Sequence, residues 1–346
     1  MNVFGRHITF TSFGESHGTA IGGVLDGIKA GIHLSLPLIE EAVRHRQPQA
    51  AYSTSRHEPD KISWLSGVET LDTSTLMTLG SPIAFSIANT DIRPSDYCDT
   101  ARPGHADMTY YLRYGIPQRS GGGRASARET VSRVVAGAIC EQLLTEHGIN
   151  VFAYTSAIGN IAVKQNYTEF NLSNEIYNNN LRCPDVGTRT AMETLLSNVQ
   201  AHDDSIGGIV TCVIQGVPAG VGNPIFGKLP ALLAGAMLSI NACKGFDYGS
   251  GFEGVGKRGS ELNDPYQPEW KHLNKQIPHT LTNNAGGCLG GISTGNDIYF
   301  RAVFKPASSI GIGGRHDVCV VPRAVSVVKA MTLLTLADVL SDYAWN

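Results

Sequence analysis

What the sequence lacks bounds its function before any motif does. Its seven cysteines, at 98, 140, 183, 212, 243, 288 and 319, stand singly, with no Cys-x-x-Cys pair. An odd number at irregular spacing argues against a disulfide framework and a zinc site, so reduced thiols in a cytoplasmic setting are expected. The opening Met-Asn-Val-Phe-Gly-Arg-His lacks the apolar core of a signal peptide. Nor does any run read as long enough for a transmembrane helix, and no membrane partner is expected. A large excess of one charge is missing as well, the net charge being −3 in 346 residues. No global basic field therefore invites a nucleic acid, and any anion binding has to be local.

Glycine, in contrast, is abundant. The 39 glycines imply many turns, in a chain whose 42% hydrophobic and 16% charged residues are the balance of a soluble globular protein. The length suffices for one large domain or two smaller ones around a substantial core.

The most informative stretch runs from Arg102 to Thr130. It reads Arg-Pro-Gly-His-Ala-Asp at 102–107, passes a Tyr-rich segment ending at Pro117, and resumes as Ser-Gly-Gly-Gly-Arg-Ala-Ser-Ala-Arg-Glu-Thr at 120–130. Consecutive glycines let backbone N–H groups approach a ligand, because no Cβ intervenes. Arg124 and Arg128 flank Ser126, and an apolar helical pattern starts directly afterwards. A glycine turn, cations and a helix N-terminus make an anion site; a flexible linker carrying two arginines is the alternative.

Residues 6–13 alternate as a half-buried strand would and lead into Gly14-Glu15-Ser16-His17-Gly18. A histidine between glycines at a strand end sits where catalytic groups are usually found, or is a turn residue bonded to its neighbours. A helix from Ser35 to about Arg46 ends in Arg-His-Arg-Gln-Pro, with Arg56 and His57 beyond. These cations either meet a phosphate-bearing ligand or answer the helix dipole. A strand at 82–88, a helix from Arg128 to about His147 and a strand near 151–158 follow. Then come a polar, Asn-rich surface excursion at 160–188, a helix at 189–200, a strand at 209–215, a strand at 297–304 and a helix from Pro322 to about Tyr343. The alternation indicates an α/β (α+β) fold.

The sequence also echoes itself. Gly22-Gly23 leads a strand into Asp26-Gly-Ile-Lys-Ala-Gly-Ile, and Gly207-Gly208 leads one into Gln215-Gly-Val-Pro-Ala-Gly-Val. An internal pseudo-duplication within a single domain, residues 1–346, is expected, with halves of about 1–150 and 190–346. Gly249-Ser-Gly251-Phe-Glu-Gly254 spells Gly-x-Gly-x-x-Gly. No strand is expected before it and no helix after it, so the dinucleotide reading is set aside. Lys305-Pro-Ala-Ser-Ser-Ile310 closes a strand with groups that hold phosphate, and Asp317, beside Arg315 and His316, is a proton acceptor or an arginine partner.

Taken together, these blocks resemble the chorismate synthase family over nearly the whole chain. They are Gly-Glu-Ser-His-Gly at 14–18, Arg-Pro-Gly-His-Ala-Asp at 102–107 and Gly-Gly-Gly-Arg-Ala-Ser-Ala-Arg-Glu-Thr at 121–130. Asn-Asn-Ala-Gly-Gly at 283–287, Lys-Pro-Ala-Ser-Ser-Ile at 305–310 and Arg-His-Asp at 315–317 complete the set. Each is weak singly; their order and number make the resemblance specific. It implies a β-α-β sandwich, a homotetramer, and a lyase dependent on reduced FMN. The implied reaction converts 5-enolpyruvylshikimate 3-phosphate to chorismate by anti-1,4 loss of phosphate and a ring hydrogen.

The resemblance also implies roles. His17 would be the general acid for the departing phosphate, and His105 the histidine that protonates reduced flavin or stabilises its charge. Asp317 would help remove the proton taken up by the flavin, with Ser16 and Ser126 as relays. FMN contacts are implied at Arg124, Ala125, Ser126, Asn241, Ala242 and Gly290. Others are implied at Lys305, Pro306, Ala307, Ser308, Ser309 and Arg315. Arg46 and Arg128 would take substrate charges or those of NADPH.

Some positions depart from the family's pattern. Ala125 replaces a common serine, Ser120 stands where arginine is frequent, and the span from Ile310 to Arg315 is short. The helix end Arg-His-Arg-Gln-Pro is not a run of arginines, and Ala51 replaces a basic residue. These put NADPH binding in doubt and favour a monofunctional enzyme supplied with reduced flavin. A non-catalytic flavin- or phosphometabolite-binding protein that kept the fold is the other reading.

Overall fold

The structure, a computed structural model, describes residues 2–48, 52–93, 101–117, 122–267, 280–308 and 317–342. The chain opens with strands β1 (Val3–Phe4), β2 (Thr9–Gly14) and β3 (Ala20–Asp26), and a short β4 (His33–Ser35) feeds helix α1 (Leu36–Arg46). Strands β5 (Ile62–Ser66), β6 (Val68–Thr70), β7 (Thr75–Thr78) and β8 (Ile83–Ala88) follow, then helices α2 (Asp107–Tyr114) and α3 (Thr130–Glu146). Next come β9 (Asn150–Ile158), β10 (Ile161–Ala162), α4 (Leu172–Glu175), α5 (Val186–Ala201), β11 (Gly208–Gln215) and α6 (Leu229–Leu238). Strand β12 (Cys243–Tyr248), α7 (Gly259–Leu262), the hairpin β13 (Cys288–Leu289) and β14 (Ile292–Ser293), β15 (Ile298–Phe304) and α8 (Val321–Ser341) complete the order.

Two five-stranded antiparallel sheets, β1-β2-β3-β8-β5 and β10-β9-β11-β15-β12, enclose a helical layer. Strand alternation supplies the inner faces: along β15, Ile298, Phe300, Ala302 and Phe304 are buried at every second position. α3 and α8 pack on each other; α3 touches β2 and β3, while α8 touches β9 and β11. Helix α8 is apolar on all sides, as a helix covered on all sides must be. Its hydroxyls at Thr332 and Thr335 donate to the carbonyls one turn earlier, at 2.8 and 2.7 Å, so they cost little in the core. Asp338, near its end, accepts from the backbone N–H groups of Arg6, His7 and Ile8 at 2.9, 2.7 and 3.0 Å.

One expectation fails at this helix. Val321–Ser341 is long and apolar enough to cross a membrane by length and composition, but 83% of its most apolar window is buried within the fold. It serves as the core helix.

The two sheets share one topology. β2-β3-β8-β5 and β9-β11-β15-β12 are laid down by the same chain order, with α1 and α6 after the second strand and α3 and α8 after the last. The match reaches single residues. Gly27 (φ +90°) and Gly216 (φ +82°) each come directly after the second strand, and a Cβ on either would stand 2.2 Å from a carbonyl oxygen, that of His7 or of Gly148. Only glycine tolerates that position. α1 and α6 both begin Leu-Pro, with the proline in the first turn, where its missing N–H costs nothing.

The structure moves several boundaries. The second half begins with β9 at Asn150, not near 190, because β9 and β11 are neighbours and the intervening residues are an insertion. That insertion is more than a surface excursion: Leu172, Ile176, Leu181 and Cys183 are buried, and Thr155 N–H donates to the Arg182 carbonyl at 3.0 Å. A strand, β12, does precede Gly249; beyond that glycine the chain turns through a 3-10 segment, Gly251–Gly256, and not the α-helix a dinucleotide site needs. Among the described residues six cysteines are free, and burial pushes the Cys140, Cys212, Cys288 and Cys319 thiols up to about 12.

Candidate active site

A cleft of about 510 Å³ takes its walls from both halves. That is a small-molecule dimension. Among the described residues its wall carries Arg46, Arg56, Arg102, Arg128, Lys244, Lys305 and Arg323 against only Glu58, Asp60 and Asp317. The chain as a whole is slightly acidic, so this cationic surplus is local.

At its base lies a buried ion triad. Arg46, the last residue of α1, donates to Asp60 Oδ2 at 3.0 Å; Arg128, just ahead of α3, donates to Asp60 Oδ1 and, through Nε, to Asn89 Oδ1 at 2.9 Å. All three are nearly fully buried. Burial pushes the Asp60 carboxyl up, but the two guanidinium groups outweigh it and hold it below the usual range. Burial draws Arg46 down to about 10 against the pull of Asp60, so it remains charged near neutrality. Two cations share one carboxylate, leaving a positive charge uncompensated at the cleft, and Arg46 Nε has no partner.

The 14–18 loop abuts this wall. The Asn89 side-chain amide donates to the carbonyls of Glu15 and Gly18 at 3.0 and 2.7 Å, pinning the turn. Arg56 donates to Ser16 Oγ and to the Ser16 carbonyl, both at 2.8 Å, while Glu58 Oε1 accepts from Arg56 at 2.6 Å. Burial alone would raise Glu58, yet hydrogen bonds from Thr90 and Arg56 leave it lowered. Ser16 is thus buried against a wall residue, whereas His17 is half-buried and lies off the wall.

Arg102, Gly104 and His105 form the opposite lip. Asp107 opens α2 and accepts from Arg102 through the backbone N–H at 3.1 Å, Nε at 2.8 Å and an Nη at 2.9 Å. His105 Nδ1 lies 2.7 Å from Asp107 Oδ1. Burial and then Arg102 lower the imidazole, Asp107 opposing, so His105 is neutral near pH 7. Burial tends to raise Asp107, but its bonds from Arg102 bring it down to about 2.

The second half supplies the facing wall. The Asn241 amide donates to the Ala125 carbonyl at 2.8 Å, and its Oδ1 is buried without a partner. The Lys305 ammonium donates to the Gly104 carbonyl at 2.6 Å and also contacts Ser308 Oγ, which donates to the same carbonyl at 2.9 Å. Burial, then Lys244, lowers Lys305. Asp317 accepts from the Thr54 N–H at 2.9 Å and from Arg323 at 2.8 and 3.1 Å.

Of the expected residues, Arg46, His105, Ala125, Ser126, Arg128, Asn241, Ala242, Lys305, Pro306, Ala307, Ser308 and Asp317 meet on this cleft. Ser309 and Arg315 lie outside the described residues, as do Ala51 and Ser120. Four expected residues, Ser16, His17, Arg124 and Gly290, are off this wall. Arg124 is spent on the end of β2, donating to the Gly14 carbonyl at 3.2 Å and the Ser12 carbonyl at 3.3 Å, so it is off the wall. Gly290 and Gly291, at φ +61° and +97°, form the two-residue turn joining β13 to β14, which demands two left-handed residues; Gly290 is also off the wall.

The basic end of α1 divides: Arg46 faces the cleft, but His45 stacks on Tyr177 at 3.8 Å and is lowered to about 4 by burial and the Arg182 charge. Glu58, Asp60, Asp107, Lys244 and Arg323 went unrecognised in the sequence. Only Asp107, inside the 102–107 block, carried a signal.

Known proteins resemble the chain in both sequence and fold. The family model described as chorismate synthase matches residues 8–341. A chorismate synthase of Azobacteroides pseudotrichonymphae genomovar. CFP2 is 45% identical, with 98% of each chain covered. One from Parabacteroides distasonis is 46% identical, also with 98% of each covered. A crystal structure of a chorismate synthase superposes with a TM-score of 0.80 at 30% identity, covering 99% of this chain and 94% of the other. On sequence and fold together, the chain belongs to the chorismate synthase family.

Proposed function

We propose that the chain is a carbon–oxygen lyase that converts 5-enolpyruvylshikimate 3-phosphate to chorismate with reduced FMN. The observation that carries this reading is the convergence of His105, Asp317 and surplus guanidinium charge on one cleft. The residues fit a flavin phosphate and ring. Asn241 Oδ1 and Arg46 Nε are buried polar atoms awaiting partners, and the 305–308 strand end offers an ammonium and a hydroxyl. Ala125, Ser126, Asn241, Ala242 and Lys305 to Ser308 would hold the group, with Ser309 and Arg315 added by the family resemblance. When bound, it supplies electron density that no side chain here can.

The chain's own residues bind, orient and move protons. Arg46 and Arg128, sharing Asp60, offset the substrate's negative charge in a partly dry site, where such pairing is strong. His17 gives a proton to the departing phosphate as the carbon–oxygen bond breaks. His105 holds a proton near the flavin. Asp317, paired with Arg323, accepts the proton released from the opposite ring face, with Ser16 and Ser126 as relays. Phosphate and a proton leave, a carbon–carbon double bond forms, and there is no net oxidation.

The neutral, stacked His45 supports a monofunctional enzyme supplied with reduced flavin, since the middle of the basic cluster presents no charge to a second nucleotide. A cytoplasmic homotetramer of single-domain chains, each with two pseudo-symmetric halves, completes the reading. An anaerobic assay with reduced FMN and 5-enolpyruvylshikimate 3-phosphate, following phosphate release, tests it. Flavin binding without turnover would instead establish a non-catalytic flavin-binding protein.

A further inference from the structure

Among the described residues, the polar groups that hold the His105 ring lie on its Nδ1 side. Its Nδ1 stands 2.7 Å from Asp107 Oδ1. Two lone pairs facing each other at that distance would repel, so the proton of the neutral ring must lie on Nδ1. Arg102 cannot take its place as donor to Nδ1 without leaving that repulsion intact, although its Nη lies 3.1 Å away. Arg102 spends three N–H groups on Asp107 instead, and Asp107 sits in the first turn of α2, where the helix dipole favours an anion.

The far edge of the ring meets bare backbone. A Cβ on Gly122 would fall 2.9 Å from His105 Cε1 and 3.3 Å from Nε2, so a side chain there would close the space beside Nε2. Nε2 therefore borders the Gly-rich turn and the cleft.

We propose that Asp107, held ionised by Arg102, is a positioning residue that fixes His105 as its Nδ1–H tautomer and leaves the Nε2 lone pair for the bound ligand. This rests on the function proposed above only for its kinetic consequence. A proton arriving at Nε2 makes an imidazolium, and the adjacent carboxylate stabilises it, the division of labour seen wherever a carboxylate orients a catalytic histidine.

Long-range proton–nitrogen spectra of the flavin-free, 15N-histidine-labelled chain test it, His105 being assigned by the signal lost in His105→Gln. The expected result is a neutral His105 protonated at Nδ1. Asp107→Asn should move the proton to Nε2 and cut turnover by about 10²–10⁴-fold, with flavin affinity changed by less than about twofold, below the effect of a lost hydrogen bond. Asp107→Glu should restore the Nδ1–H signature. A wild-type ring protonated at Nε2, or Asp107→Asn leaving tautomer and turnover unchanged, overturns the proposal. Should Asp107→Asn fail to fold, the wild-type tautomer alone decides. A wild-type chain that binds flavin without turnover defeats the proposed reaction but not this assignment, which the spectra settle separately.

Discussion

The first half meets the cleft mainly with side-chain charge, the second mainly with backbone, amide and hydroxyl groups. Arg46 and Arg128 come from a helix end and a helix start, and Arg102 and His105 from the loop before α2. Across from them stand Asn241, Ala242 and the 305–308 strand end, with Lys244, Lys305 and the Asp317–Arg323 pair as the charged members. Both halves use one sheet order, so the scaffold does not set this difference. It resides in what each loop carries, which is how one architecture hosts unlike chemistries.

Paired substitutions test that division. His17→Ala should lower turnover by about 10²–10⁴-fold with little change in flavin affinity. Ser308→Ala in the other half should weaken flavin binding by about two- to tenfold, one hydrogen bond's worth, and spare kcat. Stopped-flow turnover and flavin titration read both, and a reversed pattern breaks the comparison. Asp60→Asn should cost about 3–5 kcal/mol in urea unfolding, because two buried guanidinium groups lose their counter-charge. Gly27→Ala and Gly216→Ala should each cost about 1–3 kcal/mol; a large cost at one and none at the other would deny that the halves match residue for residue.

The last test concerns pH. The folded pKa of His45, about 4, lies below the ordinary 6.5. The unfolded chain therefore binds the proton first. This stability is complete above pH 6.5 and declines as pH falls toward 4. His45→Gln should flatten the acid limb of a thermal-melt pH series over that window, and an unchanged limb would discount the stacked, neutral ring.

The sequence carried the architecture where periodicity was strong. Helix α1 with its proline start, helix α3 after Arg128, and strand β15 with its alternating apolar face all form close to where the pattern places them. It also carried the cleft residues that lie in contiguous Gly-rich blocks. Pairing across long separations stayed hidden. Asp60 is an unremarked acid between a proline and a lysine until the fold sets it between Arg46 and Arg128, 14 and 68 positions away. Arg124 looked like an anion ligand because composition cannot show that strand-end carbonyls would claim it. Strand β12 was missed because Cys-Lys-Gly-Phe-Asp-Tyr lacks clean alternation and gains its place from pairing with β15.

Helix α8 is synthesised after both sheets and fills the layer between them, and its Asp338 gathers three amides at the very start of β2's approach. A nascent chain still missing those residues leaves the inner face of the second sheet without this cover and its first strands untied. A chain truncated before α8 should therefore be aggregation-prone, and expression of residues 1–320 should give insoluble protein.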